Sequence, residues 1–190
     1  MIKALTISLA LAFPAGAFEL ALPVACDLGK TCYIQQYADH DTSAGADDFT
    51  CGSLSYDGHE GTDFALPTRA AMAAGVDVLT ASGGTVLGTR DGVADFAAFP
   101  AGQDCGNGVL IDHGDGWQTQ YCHMKQGSVR VSSGETVAQG QVLGQIGQSG
   151  NAAFPHLHLS VRHNADKIDP FAPQTPLGSP QISCGATGAD

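Results

Sequence analysis

Positive charge is scarce in this 190-residue chain, where eight Lys and Arg stand against 19 Asp and Glu for a net charge of −11. The few basic residues are not clustered, so the chain offers no electrostatic footprint for nucleic acid or an anionic membrane surface. Cys-x-x-Cys pairs are missing although there are six cysteines, which removes zinc-finger and thioredoxin chemistry. Long apolar runs are missing too: the stretch Ala4 to Phe13 falls short of the roughly 20 residues of a transmembrane helix, and no later stretch qualifies. Extended helical patterning is absent. Apolar residues recur instead with period two in short bursts divided by turns, and glycine is abundant at 25 residues.

What is present starts at the N-terminus. Lys3, the apolar stretch to Phe13, Pro14 and then Ala15-Gly16-Ala17 make the tripartite pattern of a secretory signal peptide over residues 1–17. Cleavage after Ala17 would leave Phe18 first. A competing pattern, Leu22-Pro23-Val24-Ala25-Cys26, reads as a lipoprotein acceptor with Cys26 lipidated, but Pro23 stands where such sites usually carry leucine. Cys26, Cys32, Cys51, Cys105, Cys122 and Cys184 fit export into an oxidising compartment, periplasmic or extracellular, where disulfides persist.

The period-two segments predict strands at about 61–65, 76–80, 85–87, 109–112, 119–123, 129–131, 142–146 and 156–162, with an Ala-rich helical candidate at 68–74. A hairpin through His113-Gly114-Asp115-Gly116 that pairs Asp112 with about Gln118 or Gln120 brings Cys105 near Cys122 and predicts a disulfide there. Residues 18–50 show little periodicity, 90–104 resemble a loop insertion, and 165–190 are rich in proline and small residues. The expected organisation is therefore an irregular flank at 18–50, a core domain at 51–164 and a proline-rich tail. Cys184 is expected to tie that tail to Cys26, Cys32 or Cys51.

Five side chains stand out: His59-x-x-x-Asp63, His123, and His156-x-His158. Imidazole nitrogen and carboxylate oxygen are the donors zinc takes in open sites, usually three protein ligands and a water. Five such groups exceed what a structural site needs, and the surplus points to a three-ligand metal with two histidines left to handle protons. Alternation puts His156, His158 and Ser160 on one face of the last strand, opposite Leu157, Leu159 and Val161. It also puts His123 with Tyr121 and Thr119, opposite Cys122 and Met124. Gly58 and Gly61 disfavour a helix around His59, so a loop entering a strand is expected, with Gly61 letting the backbone bend. His113 reads as structural or solvent-facing in its turn, and His40 and His163 as surface residues.

The segments Gly58-His59-Glu60-Gly61-Thr62-Asp63, Gly106 to Trp117, Tyr121-Cys122-His123-Met124, Gly134 to Gly144 with Gly147 and Gly150, and Pro155 to Arg162 together resemble the lysostaphin-type zinc metallopeptidases. The resemblance covers about Gly58 to Arg162. It implies an all-β fold, a compact antiparallel sandwich or barrel-like core with a groove, flanked by irregular disulfide-tied segments. It further implies that His59, Asp63 and His158 hold one Zn2+, that His123 and His156 are the catalytic pair, and that 51–164 is the metallopeptidase domain. The implied substrate is a peptide cross-link of bacterial cell-wall peptidoglycan, with room for a regulatory protein partner. Cys105, Cys122 and Met124 depart from the family pattern. Two other readings compete: a non-enzymatic module of the same fold that binds cell wall or activates an amidase, and a biotinyl- or lipoyl-type carrier domain with Lys125 modified after Met124.

Overall fold

The computed structural model describes residues 18–173 and 176–178. Within them the strands are β1 (Tyr33–Gln36), β2 (Thr62–Ala65), β3 (Asp77–Leu79), β4 (Gly84–Arg90), β5 (Asn107–Gly114), β6 (Trp117–Met124), β7 (Thr136–Val137), β8 (Val142–Gln145), β9 (His156–His163) and β10 (Asp166–Ile168). One short helix, α1 (Arg69–Ala74), follows β2; Thr68 caps it by accepting from the Ala71 N–H. The large sheet runs β1-β2-β9-β6-β5-β4-β7, with β10 on β9, and β3 and β8 form a separate two-stranded ribbon. Every strand pair is antiparallel. The all-β antiparallel architecture is thus as expected.

Alternation explains why the large sheet has one dry face. Leu157, Leu159 and Val161 of β9 meet Phe64, Val109, Ile111 and Tyr121 in a core closed by Val78, Leu143 and Ile146 from the ribbon side. Tyr121 is fully buried, and its hydroxyl accepts the Ala81 N–H at 2.8 Å and bonds Thr119 Oγ1 at 3.1 Å. Removing that oxygen strands a buried backbone donor. Tyr121→Phe is therefore expected to cost about 1–3 kcal/mol in urea unfolding; an unchanged midpoint would show that this bond contributes nothing net.

The hairpin of β5 and β6 pairs Asp112 with Gln118, and Cys105 is bonded to Cys122, as the sequence predicts. The ties of the flanks differ in part. Cys26 and Cys32 are bonded to each other, which leaves only Cys51 of the three partners considered for Cys184; Cys184 itself, like the signal peptide expected at 1–17, lies outside the described residues.

Three local expectations are corrected. Residues 129–131 are not a strand: Val129 N–H goes to the Asp91 carboxylate and only Arg130 N–H reaches Leu143, so no ladder forms. His40 is not a surface residue. Its Nε2 lies 2.8 Å from Asp169 Oδ2 with both side chains buried, clasping the two flanks together. His163 is half-buried and stacked on Trp117. The flanks also supply β1 and β10, the latter through a two-residue turn at Asn164 and Ala165, both at positive φ.

Candidate metal centre

The site lies on the face of the large sheet opposite the core. Asp63 of β2 pairs directly with His158 of β9, and Ala65 with His156, so Asp63, His156 and His158 share one face by register. His59 precedes β2 in a loop rather than a helix. Gly61 matters there for a reason other than bending. A Cβ on it would fall 2.7 Å from His158 Nε2 and 2.5 Å from the Leu159 carbonyl, so glycine is what lets the loop lie against that ring.

His123 reaches the site by breaking alternation. Tyr121 pairs with Val109 and Met124 with Asn107, so Cys122 and His123 together oppose the single residue Gly108 in a β-bulge. His123 takes a left-handed φ of 63°. Met124 thereby returns to the core, while the His123 ring sits 4.6 Å from that of His156 and 5.9 Å from that of His158. The expected grouping of His123 with Tyr121 and Thr119, away from Cys122, is therefore corrected, while its separation from Met124 holds.

Three donor atoms converge. His59 Nε2 is 3.2 Å from Asp63 Oδ1 and 3.1 Å from His158 Nδ1, and His158 Nδ1 is 2.9 Å from the same oxygen. His59, Asp63 and His158 make up a group able to hold a metal ion. Bonds of about 2.0–2.2 Å to a tetrahedral zinc would separate ligand atoms by about 3.3–3.6 Å, so the cluster needs only a small expansion to accept one.

Hydrogen bonds to carbonyls at the far side of three rings set their tautomers. His59 Nδ1 donates to the Tyr37 carbonyl at 2.6 Å, His123 Nδ1 to the Ser149 carbonyl at 2.8 Å and His156 Nδ1 to the Phe154 carbonyl at 2.8 Å. A carbonyl can only accept, so each neutral ring carries its proton on Nδ1 and turns a bare Nε2 inward. His158 is reversed: Nε2 bonds Ser160 Oγ at 2.9 Å and Nδ1 faces the cluster. Such outer partners orient ligands and raise their basicity. Two imidazole nitrogens and a carboxylate oxygen thus face one place, an arrangement that calls for a cation.

Burial opposes ionisation of Asp63, but the facing nitrogens of His158 and His59 outweigh it and hold the carboxyl well below the usual range; Asp63 in turn raises His59 against the effect of burial, so a cation, proton or metal, is favoured between them. Burial, reinforced by His156 and His158, pushes the His123 imidazole down to about 3, and burial also lowers His156 against the pull of Asp63. Both rings stay neutral. His156 Nε2 stands 3.6 Å from Asp63 Oδ1, beside the cluster and outside its shortest contacts.

Several contributors carry no motif signal. Tyr37 acts through a carbonyl that any residue has; Ser149 likewise, while its hydroxyl accepts the Asn107 N–H and donates to the Met124 carbonyl beside the bulge. Tyr56 stacks on His59 at 4.5 Å, and burial with nearby Asp63 pushes its phenol up to about 12, so it remains a neutral donor. Glu60 points elsewhere, paired with Lys167. His113 bonds the Gly83 carbonyl and Thr119 Oγ1, away from the site.

An antiparallel β fold with a His-Asp-His cluster and two further histidines beside it describes a class of metal-binding hydrolases. Residues 57–170, more than half of the chain, match Peptidase family M23, and the chain belongs to that family. It is 31% identical over 121 residues to the peptidoglycan DD-endopeptidase ShyA of Vibrio cholerae, covering 64% of this chain and 24% of that protein. It is 33% identical over 107 residues to the DD-carboxypeptidase/endopeptidase Mpg of Neisseria meningitidis, covering 54% and 23%. The chain therefore spans about a quarter of the length of these relatives. Among solved structures it resembles in fold the catalytic domain of the M23 protein EnpA from Enterococcus faecalis (TM-score 0.54, 23% identity, 84% of this chain and 98% of that one). It also resembles a chain of the SpoIIQ-SpoIIIAH pore-forming complex (TM-score 0.58, 22% identity, 80% and 89%).

Proposed function

We propose that this protein is an exported zinc-dependent metalloendopeptidase that hydrolyses peptide cross-links of bacterial peptidoglycan. The observation that carries the reading is the convergence of His59 Nε2, Asp63 Oδ1 and His158 Nδ1, three metal-ligating atoms within 3.2 Å of one another. Zinc held there supplies Lewis acidity toward a peptide carbonyl and water at neutral pH. His59, Asp63 and His158 bind it; the Tyr37 carbonyl and Ser160 hydroxyl fix the ring orientations. His123 and His156, neutral and with Nε2 bare, accept a proton from the attacking water, bond the developing oxyanion once protonated, and return the proton to the leaving amine. Burial of both rings keeps bulk water from competing for that proton. The similarity to a peptidoglycan DD-endopeptidase and a DD-carboxypeptidase/endopeptidase supports this substrate class, and the disulfides support export.

The non-enzymatic reading draws on the pore-complex likeness, but a binding module has no use for two unprotonated nitrogens poised beside a metal cluster. Mass spectrometry of fragments released from isolated sacculi discriminates. Release is expected to stop with a zinc chelator and to return on adding Zn2+; release indifferent to chelation would overturn the zinc mechanism, and no release at all would favour the module.

A further inference from the structure

We propose that the Cys105–Cys122 disulfide is a positioning element for His123, holding the bulge that turns its imidazole out of the core register and into the site. The inference rests on the hydrolase reading for its kinetic consequence, though not for its structural one. A left-handed backbone at a residue other than glycine is uncommon and persists where the surroundings over-determine it. Here Cys105 grips both members of the bulge. Its sulfur is bonded to Cys122, the first, and its carbonyl accepts the N–H of His123, the second, at 2.8 Å. The His123 carbonyl is taken by Gly147 N–H at 3.0 Å and its ring by the Ser149 carbonyl at 2.8 Å. Opposite the bulge, Gly108 leaves no room for a side chain, since a Cβ would lie 2.3 Å from the Tyr121 carbonyl and 3.0 Å from Cys105 Sγ.

The donor cluster is built differently. His59, Asp63 and His158 stand on the loop before β2, on β2 and on β9, and among the described residues no disulfide joins these segments to one another. Loss of the bond should let Cys122 and His123 relax toward regular alternation, drawing the imidazole away from His156 while the metal ligands stay in place. The disulfide thus serves proton transfer and leaves metal binding alone.

The test compares Cys105→Ala/Cys122→Ala with Cys26→Ala/Cys32→Ala, which removes a disulfide remote from the bulge. On defined peptidoglycan fragments the first is expected to lose about 100-fold in kcat with KM and zinc content unchanged, the loss typical of a misplacement near 1 Å; the second should keep its kcat. Independently of hydrolysis, the His123 amide is expected to exchange at least about tenfold faster in the first variant only, as its bond to Cys105 loosens. Equal kcat in the two variants, or a kcat loss matched by loss of zinc, overturns the proposal. Should the first variant fail to fold, phosphine reduction of the native protein with the same readouts replaces it. A wild-type chain that cuts nothing refutes the hydrolase reading, and the exchange rates still decide the positioning role.

Discussion

Asp63→Ala is expected to emerge from gel filtration with almost no zinc and to release peptidoglycan fragments at least about 1,000-fold more slowly than the wild type. Asp63 is the only anion in the cluster, and its Oδ1 lies within 3.2 Å of both ligand nitrogens. Without it, two neutral imidazoles must hold a divalent ion alone. Lewis acidity is worth several kcal/mol at the transition state, and each 1.36 kcal/mol is a factor of ten, which sets the size of the loss. The backbone should survive, because the neighbours Thr62 and Phe64 are buried on the opposite face and the β2–β9 pairing does not use the carboxylate. Metal analysis beside rate measurement checks the point; a variant with one zinc per chain and a normal rate would remove Asp63 from the site.

His123→Asn and His156→Gln should behave otherwise. Both are expected to keep their zinc and lose about 100- to 10,000-fold in kcat, the usual worth of a positioned acid or base. Asparagine suits the first position because it tolerates the left-handed backbone found there. The two rings, 4.6 Å apart, would act on one proton path, so the double variant should be little worse than the weaker single one. Additive losses would mean two separate roles. Wild-type rates in either single variant would exclude that histidine from chemistry.

How much of this was written in the order of residues depends on the element. Strand β9 was legible because its core face is strictly apolar, and the β5–β6 register because a glycine-bearing turn fixes it. The convergence of His59, Asp63 and His158 followed from motif resemblance; the geometry adds how the backbone does it, with Asp63 and His158 directly paired across two strands. The placement of His123 was not legible. A period-two rule cannot register an extra residue, and the bulge depends on Gly108 and Cys105, which belong to another part of the chain. β10 was missed because its turn uses Asn164-Ala165 where Asn-Gly would have signalled a hairpin. His40 looked superficial because its partner Asp169 lies 129 positions away, and no local pattern announces a pairing of that kind.

That pairing bears on where the protein can be cut. The span shared with Peptidase family M23 begins at residue 57, beyond β1, Tyr37 and His40. Trimmed to it, the molecule would present the open margin of β2 to other copies of itself, leave Asp169 without its His40 partner, and take from the His59 ring the Tyr37 carbonyl that orients it. The unit that an engineer can move intact therefore reaches back at least to Tyr33, and the span matched to the family begins inside it.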